Sequence, residues 1–175
     1  MQEFIGQIGP NTWLPFTAIA ARMLLAAILG GIVGFEREWR KRPAGLRTHI
    51  LVCLAAAVIA IITLELAHSS AFVAPLTRLD PVRTIEAVTS GVAFLATGFI
   101  VFARGHVIGI TTGAGLWLAA AVGLACGFGY WQIGGLATLL AVTVLCVIRA
   151  LEVRLEDKQP EQGADARHQR EHTER

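Results

Sequence analysis

The chain has 175 residues, of which 54% are hydrophobic and 16% charged, whereas about 25% of a soluble globular protein is charged. Its net charge of +2 is small, and most basic residues flank apolar segments, so the composition gives no support to a nucleic-acid-binding protein. The composition excludes an ordinary soluble domain and favours an integral membrane protein.

Five apolar segments are long enough to cross a bilayer as helices. About 20 apolar residues, each rising about 1.5 Å along a helix, cover a hydrocarbon core of about 30 Å. The sequence therefore predicts an all-α membrane protein with one domain, residues 1–150, and five transmembrane helices. The predicted spans, in chain order, are residues 14–35, 49–67, 85–103, 107–127 and 131–148.

Basic residues indicate the orientation of these spans. Positively charged residues in short loops near the membrane stay in the cytoplasm. The third connection and the segment after the fifth span are basic, and so is the first connection, which contains Arg37, Arg40, Lys41, Arg42 and Arg47. We therefore predict an N-terminus outside the cytoplasm and a C-terminus inside it.

The segment from residue 151 to 175 differs from the rest of the chain. It is rich in charged residues and glutamine, lacks aromatic residues and contains Pro160 and Gly163. Such a segment cannot bury a core of its own. We predict a charged, largely disordered cytoplasmic tail, with the fifth helix continuing to about Lys158.

Small residues at a spacing of four indicate close contacts between the predicted helices. Because lipid tails are as apolar as leucine, helices in a membrane associate through close backbone approach. Gly30 and Gly34 have this spacing in the first span, and Gly109 and Gly113 have it in the fourth. The pattern predicts helix packing and is compatible with a homodimer.

Charged residues at membrane depth are the more informative feature. Arg22 lies inside the first span, where a charged residue costs at least about 2.5 kcal/mol unless it is paired or hydrated. Polar residues of the second and third spans should lie toward the same, outer side. The predicted outer polar cluster consists of Arg22, Glu65, Asp80, Arg83, Glu86, Ser90 and Thr97.

Two interpretations of this cluster remain open. It is either a structural ion pair between Arg22 and Glu65 or Glu86, or a polar cavity that admits an ion such as Mg²⁺, which prefers oxygen ligands. Glu86, Ser90 and Thr97 share one face of the third span, and we expect this face to point into the bundle. The sequence leaves any metal site unknown.

The first cytoplasmic connection is a second candidate site. Its residues Glu36, Arg37, Glu38, Arg47 and Thr48 either anchor the connection to anionic headgroups or form a partner-binding or nucleotide-binding loop. No phosphate-binding glycine motif, grouped hydrolase residues or H-E-x-x-H motif occurs in the sequence. We therefore predict neither an enzyme nor a cofactor.

Four ordered motifs resemble the MgtC/SapB family of bacterial inner-membrane proteins. They are GFERE from Gly34, AGLRTHILV from Ala44, DPVR from Asp80 with SGVAFLATGFI from Ser90, and GITTGAGLWLAAAVGLACGFG from Gly109. The resemblance implies five spans with the N-terminus outside, which agrees with the charge pattern. Residues that match the motifs are Arg22, Glu36, Arg37, Glu38, Gly45, Leu46, Arg47, Thr48, Asp80, Pro81, Arg83, Ser90, Gly91, Thr111, Thr112 and Trp117.

The sequence departs from the family pattern at two places. It has Ala93, Ala96 and Thr97 where relatives usually read GFLGAG, and Glu86 where many have glutamine. Many relatives also have a soluble C-terminal domain, for which the tail offers no counterpart.

The resemblance implies a non-enzymatic factor in adaptation to low Mg²⁺ or acid stress, in a family linked to virulence. Its partners would be the inner-membrane bilayer and a membrane complex such as the F-type ATP synthase. The alternative is a transporter or channel for Mg²⁺ or protons, with the outer polar cluster as its site.

Overall fold

The structure, a computed structural model, describes residues 12–69, 80–103 and 106–156. These ranges contain helices α1 Phe16–Trp39, α2 Leu46–His68, α3 Pro81–Thr97, α4 Ile110–Phe128 and α5 Trp131–Glu156, and strands β1 Val101–Ala103 and β2 His106–Ile108. By length and composition α1, α2, α4 and the Trp131–Ile148 part of α5 are able to cross a membrane. The prediction of an all-α membrane protein is confirmed, while the number of spans and their orientation stay predictions.

The chain divides into two compact units, residues 1–138 and 139–175. In the first unit, small and medium apolar residues of α1, α2 and α4 form the core. This core contains Ala26, Cys53, Ala57, Val122 and Cys126. In the second unit the described residues, 139–156, are helical.

Glycines bring α1 and α4 against α2. A Cβ atom on Gly30 would lie 2.7 Å from Cys53 Cβ, and one on Gly34 would lie 2.8 Å from Leu46 Cα, closer than side chains tolerate. A Cβ atom on Gly127 would lie 2.6 Å from Ala60 Cβ. The backbones of α1 and α4 thus approach α2 at positions where only glycine fits.

A β-hairpin lies between α3 and α4, so the predicted spans 85–103 and 107–127 are wrong at their shared boundary. Helix α3 ends at Thr97, and the strands pair in antiparallel fashion with Val101 opposite Ile108. Gly109, with φ +93°, precedes α4 and lies against the Phe99 backbone. Gly109 therefore forms the turn from β2 into α4, and it does not mediate the predicted contact between helices. β-Branched residues on both strands favour extended structure over a continued helix.

The predicted cytoplasmic loop is shorter than expected, because α1 extends past residue 35 to Trp39. Glu36, Arg37 and Glu38 therefore belong to the last turns of α1, and Arg47 and Thr48 to the first turn of α2. The connection itself is residues 40–45. Helix α5 continues to Glu156, close to the predicted end, and residues 157–175 of the tail lie outside the described residues.

Candidate functional site

Polar side chains lie at both ends of the first unit. The Glu65 end contains the start of α1 and the C-terminal ends of α2 and α4. The Arg37 end contains the C-terminal end of α1, the start of α2 and Gly115 of α4. The two ends differ in which polar atoms have partners.

Glu65 binds the backbone that leads into α1. Its carboxylate accepts hydrogen bonds from Trp13 N at 2.7 Å and Leu14 N at 3.0 Å. The ring of Trp13 also stacks on His68, with the ring centroids 3.7 Å apart. A carboxylate next to the start of a helix is stabilised by the positive end of the helix dipole. Both oxygens of Glu65 are therefore used to fix α1 against the end of α2.

Arg22 binds the end of α4 instead of a carboxylate. Its Nη1 atom donates to the Gly127 carbonyl oxygen at 2.9 Å. The last carbonyls of a helix lack intrahelical donors and carry the negative end of the helix dipole, so they attract a guanidinium. The predicted pair of Arg22 with Glu65 or Glu86 is wrong, since the ion pair within the described ranges joins Arg40 to Glu36.

The polar face of α3 points away from the bundle, so the prediction that it points inward is wrong. Glu86, Ser90 and Thr97 are exposed, whereas Val88 and Ala96 are buried. Val88 belongs to the second core cluster, with residues of α2 and α4. Inward packing favours the apolar stripe because lone polar groups are costly to bury.

The N-terminal turn of α3 holds the remaining members of the predicted outer cluster. Asp80 caps the helix by accepting from Val82 N at 2.9 Å, and Arg83 is exposed. A hydrogen bond of 3.1 Å between Thr63 Oγ1 and Thr84 Oγ1 joins α3 to α2 near this turn. The residues of the predicted outer cluster therefore do not come together in one site. Some bind backbone atoms, and the others lie on an exposed face.

At the Arg37 end, two polar side chains are fully enclosed. Arg37 is 2% exposed and His49 is 0% exposed. His49 Nδ1 lies 2.9 Å from the Gly45 carbonyl oxygen, and because a carbonyl only accepts, Nδ1 carries the proton. Nearby, the Glu38 carboxylate accepts from Leu46 N at 3.0 Å, which joins the end of α1 to the start of α2.

Three buried nitrogens at this end have no hydrogen-bond partner among the described residues: Arg37 Nε, Arg37 Nη2 and His49 Nε2. Two of them lie next to Gly115, where an added Cβ atom would be 3.2 Å from His49 Nε2 and 3.8 Å from Arg37 Nε. We call Arg37, His49 and Gly115 the Arg37 pocket. It is the strongest candidate for a binding site in the described part of the chain.

The sequence pointed to only part of this pocket. Arg37 is one of the predicted loop residues, whereas His49 and Gly115 are not among the predicted site residues. A glycine inside a helix lowers its stability by about 1 kcal/mol relative to alanine, so its presence indicates that another group approaches closely. The sequence does not show which group this is. Of the other predicted residues, Arg47 and Thr111 are exposed and Thr112 is buried.

The fold and these sites define a multi-pass, all-α membrane protein with a buried arginine and a buried histidine at one end. Comparison with known proteins gives the family: the MgtC family model matches residues 23–154, and the chain belongs to the MgtC family.

Three curated relatives illustrate the similarity. "Protein MgtC" of Brucella abortus (strain 2308) is 37% identical over 153 residues, covering 87% of this chain and 60% of that protein. "Putative magnesium transporter YhiD" of Escherichia coli (strain K12) is 34% identical over 137 residues, covering 78% of this chain and 63% of that protein. "Protein SrpB" of Synechococcus elongatus is 33% identical over 148 residues, covering 80% of this chain and 78% of that protein.

This chain thus spans about 60% of the length of the first two relatives. No solved structure matches it.

Proposed function

We propose that this protein is a non-enzymatic factor in bacterial adaptation to low Mg²⁺ or acid stress, and that it acts in the inner membrane through membrane partners. Membership of the MgtC family supports the first part. The outward-facing polar side of α3 supports the second and carries the proposal.

The α3 surface is suited to contact with another protein. Glu86 and Ser90 are exposed on it, next to Phe94, which is 84% exposed. A carboxylate beside apolar surface at membrane depth is costly unless a partner or water meets it. A partner that covers α3 would satisfy Glu86 and bury Phe94 together.

The inner side of α3 is apolar except for Thr84, whose hydroxyl group is hydrogen-bonded to Thr63 of α2. Val88, Val92 and Ala96 face the bundle, and Val88 packs with Ala120 and Leu124 of α4. An ion path between α3 and the other helices of the first unit would need polar groups on this side. The geometry therefore favours a surface that binds a partner, either a second copy of the chain or a membrane complex such as the F-type ATP synthase.

Transport of Mg²⁺ is the second candidate function, because one relative carries the name of a magnesium transporter. Mg²⁺ is usually held by one or two carboxylates and retained waters. Glu65 and Asp80 accept hydrogen bonds from backbone N–H groups, and no group of three His, Cys, Asp or Glu residues in the described ranges is placed to hold a metal ion.

Two measurements separate these functions. A photo-crosslinking amino acid at Ser90 should capture a membrane protein in cells, whereas one at Leu24, which is 63% exposed on the apolar surface of α1, should capture little. Proteoliposomes with the purified chain should show no Mg²⁺ flux. A flux that the Glu86→Gln variant abolishes, with no crosslink specific to Ser90, would refute the proposal and favour transport.

A further inference from the structure

We propose that the Arg37 pocket binds a small oxyanion that carries a hydroxyl group, such as hydrogen phosphate or bicarbonate. The pocket is formed by residues of α1, α2 and α4, so the inference is independent of the partner surface on α3.

The arginine supplies the first part of the recognition. Nε and Nη2 lie on the same edge of a guanidinium, and their N–H groups point in parallel. This edge matches two oxygens of one carboxylate, carbonate or phosphate group in a bidentate contact. In Arg37 both of these nitrogens are buried without a hydrogen-bond partner among the described residues. The unfilled donors are therefore the pair that an oxyanion requires.

Neighbouring carboxylates do not fill this edge. Glu36 is the adjacent residue on the same helix, and residues i and i+1 do not face each other. The Glu36 carboxylate pairs instead with Arg40, one turn further along α1. The Glu38 carboxylate is held by Leu46 N. The Glu36 carboxylate is itself buried, and its charge also attracts that of Arg37. Neither carboxylate accepts from Nε or Nη2, however, so this edge of Arg37 is left for a ligand.

The histidine supplies the second part. Because the Nδ1–H group of His49 donates a hydrogen bond to the Gly45 carbonyl oxygen, the neutral ring presents a lone pair at Nε2. A lone pair would repel a fully deprotonated anion, but it accepts a hydrogen bond from a hydroxyl group. An oxyanion with one hydroxyl therefore satisfies all three unpartnered nitrogens: two of its oxygens accept from Arg37, and its hydroxyl donates to His49. Sulfate and phosphodiester headgroups lack this hydroxyl.

Gly115 provides the space for the ligand. An alanine here would place its methyl group 3.2 Å from His49 Nε2 and 3.8 Å from Arg37 Nε, between the groups that would hold the anion. The Gly115→Ala variant keeps every polar side chain and favours the α4 helix, so it should fold. Gly91→Ala is the matched control, because Gly91 lies inside α3 and an added Cβ would have no neighbour within 4 Å.

The test uses the full chain in phosphatidylcholine nanodiscs, with calorimetric titration of inorganic phosphate, bicarbonate and sulfate near neutral pH. We expect phosphate or bicarbonate to bind, and sulfate to bind about tenfold more weakly or not at all because it loses the bond to His49. Gly115→Ala and Arg37→Lys should each weaken binding about tenfold or more, the lysine because it keeps the charge without the bidentate edge. Gly91→Ala should bind as the unmodified chain does.

Nanodiscs containing phosphatidic acid, whose headgroup is a phosphomonoester with a hydroxyl, distinguish a lipid source from a free anion. Competition between this lipid and phosphate would assign the pocket to the headgroup, whereas phosphate binding unaffected by it would assign the pocket to the free anion. The proposal is overturned if none of these anions binds, which would leave a water molecule to bridge Arg37 and His49. It is also overturned if sulfate binds as well as phosphate, or if Gly115→Ala binds normally.

Discussion

The contact between α1 and α2 predicts a large difference between two adjacent glycines. An added methyl group on Gly30 would lie 2.7 Å from Cys53 Cβ and 2.9 Å from the His49 carbonyl oxygen. On Gly31 it would meet Ile50 at 3.5 Å and Leu46 at 3.9 Å, which are ordinary van der Waals contacts. Both alanine substitutions lie inside the same helix and gain similar helix propensity, about 1 kcal/mol.

The magnitude of the difference follows from the overlap. To bring the new methyl group of Gly30→Ala beyond 3.0 Å, below which real Cβ atoms essentially never approach, α1 and α2 must separate by a few tenths of an ångström. Overpacking of this kind typically costs about 1–3 kcal/mol. Gly31→Ala should be neutral or stabilising. We therefore expect Gly30→Ala to have a Tm roughly 2–10 °C below that of Gly31→Ala.

A thiol-reactive dye can measure this difference in detergent. Cys53 and Cys126 are buried in the α1–α2–α4 core, so they react when this core opens. The exposed Cys146 should be replaced by serine in all variants to remove its background signal. Equal Tm values for Gly30→Ala and Gly31→Ala would refute the close approach of the two helices.

Three further predictions concern the Glu65 end and α3. Glu65→Ala should leave two backbone N–H groups without their acceptor and destabilise the start of α1 by about 1–3 kcal/mol. Amide hydrogen exchange there should increase, and unchanged exchange would contradict the contact. Because Arg22 binds a carbonyl oxygen, the effects of Arg22→Ala and Glu86→Gln on the free energy of unfolding should add within about 0.5 kcal/mol in the double variant. A larger coupling would support the ion-pair interpretation. Asp80→Ala should lower stability by about 0.5–2 kcal/mol because α3 loses its cap, and Asp80→Asn should retain most of that stability. Equal protease resistance of the unmodified chain and both variants would argue against the cap.

The hydrophobic pattern predicted the helical membrane class and most helix positions because long apolar runs have few alternatives in lipid. It missed the hairpin because the two short strands continue the apolar runs on either side of them, and the turn from β2 into α4 depends on Gly109 at a positive φ. The partner of Arg22 was also beyond prediction. A backbone carbonyl without an intrahelical donor cannot be located from residue types, whereas a carboxylate such as that of Glu65 can be identified directly in the sequence.

The site was predicted least well for a similar reason. The pattern of Glu86, Ser90 and Thr97 identified one polar face of α3, but not the direction in which that face points. In a soluble protein such a face would turn to water, whereas in lipid it needs the bundle, water or another molecule to meet it. Tertiary packing of Val88 and Ala96 decided the direction.

The hairpin after α3 has a consequence for the surrounding lipid. Open strand edges do not occur in hydrocarbon, so β1 and β2 must reach the headgroup region. Helix α3 has 17 residues and therefore rises only about 25 Å, less than the usual hydrocarbon thickness of about 30 Å. If α3 is the third span that the sequence predicts, the bilayer beside it should be thinned locally, and such thinning would favour neighbours whose own hydrophobic length is short.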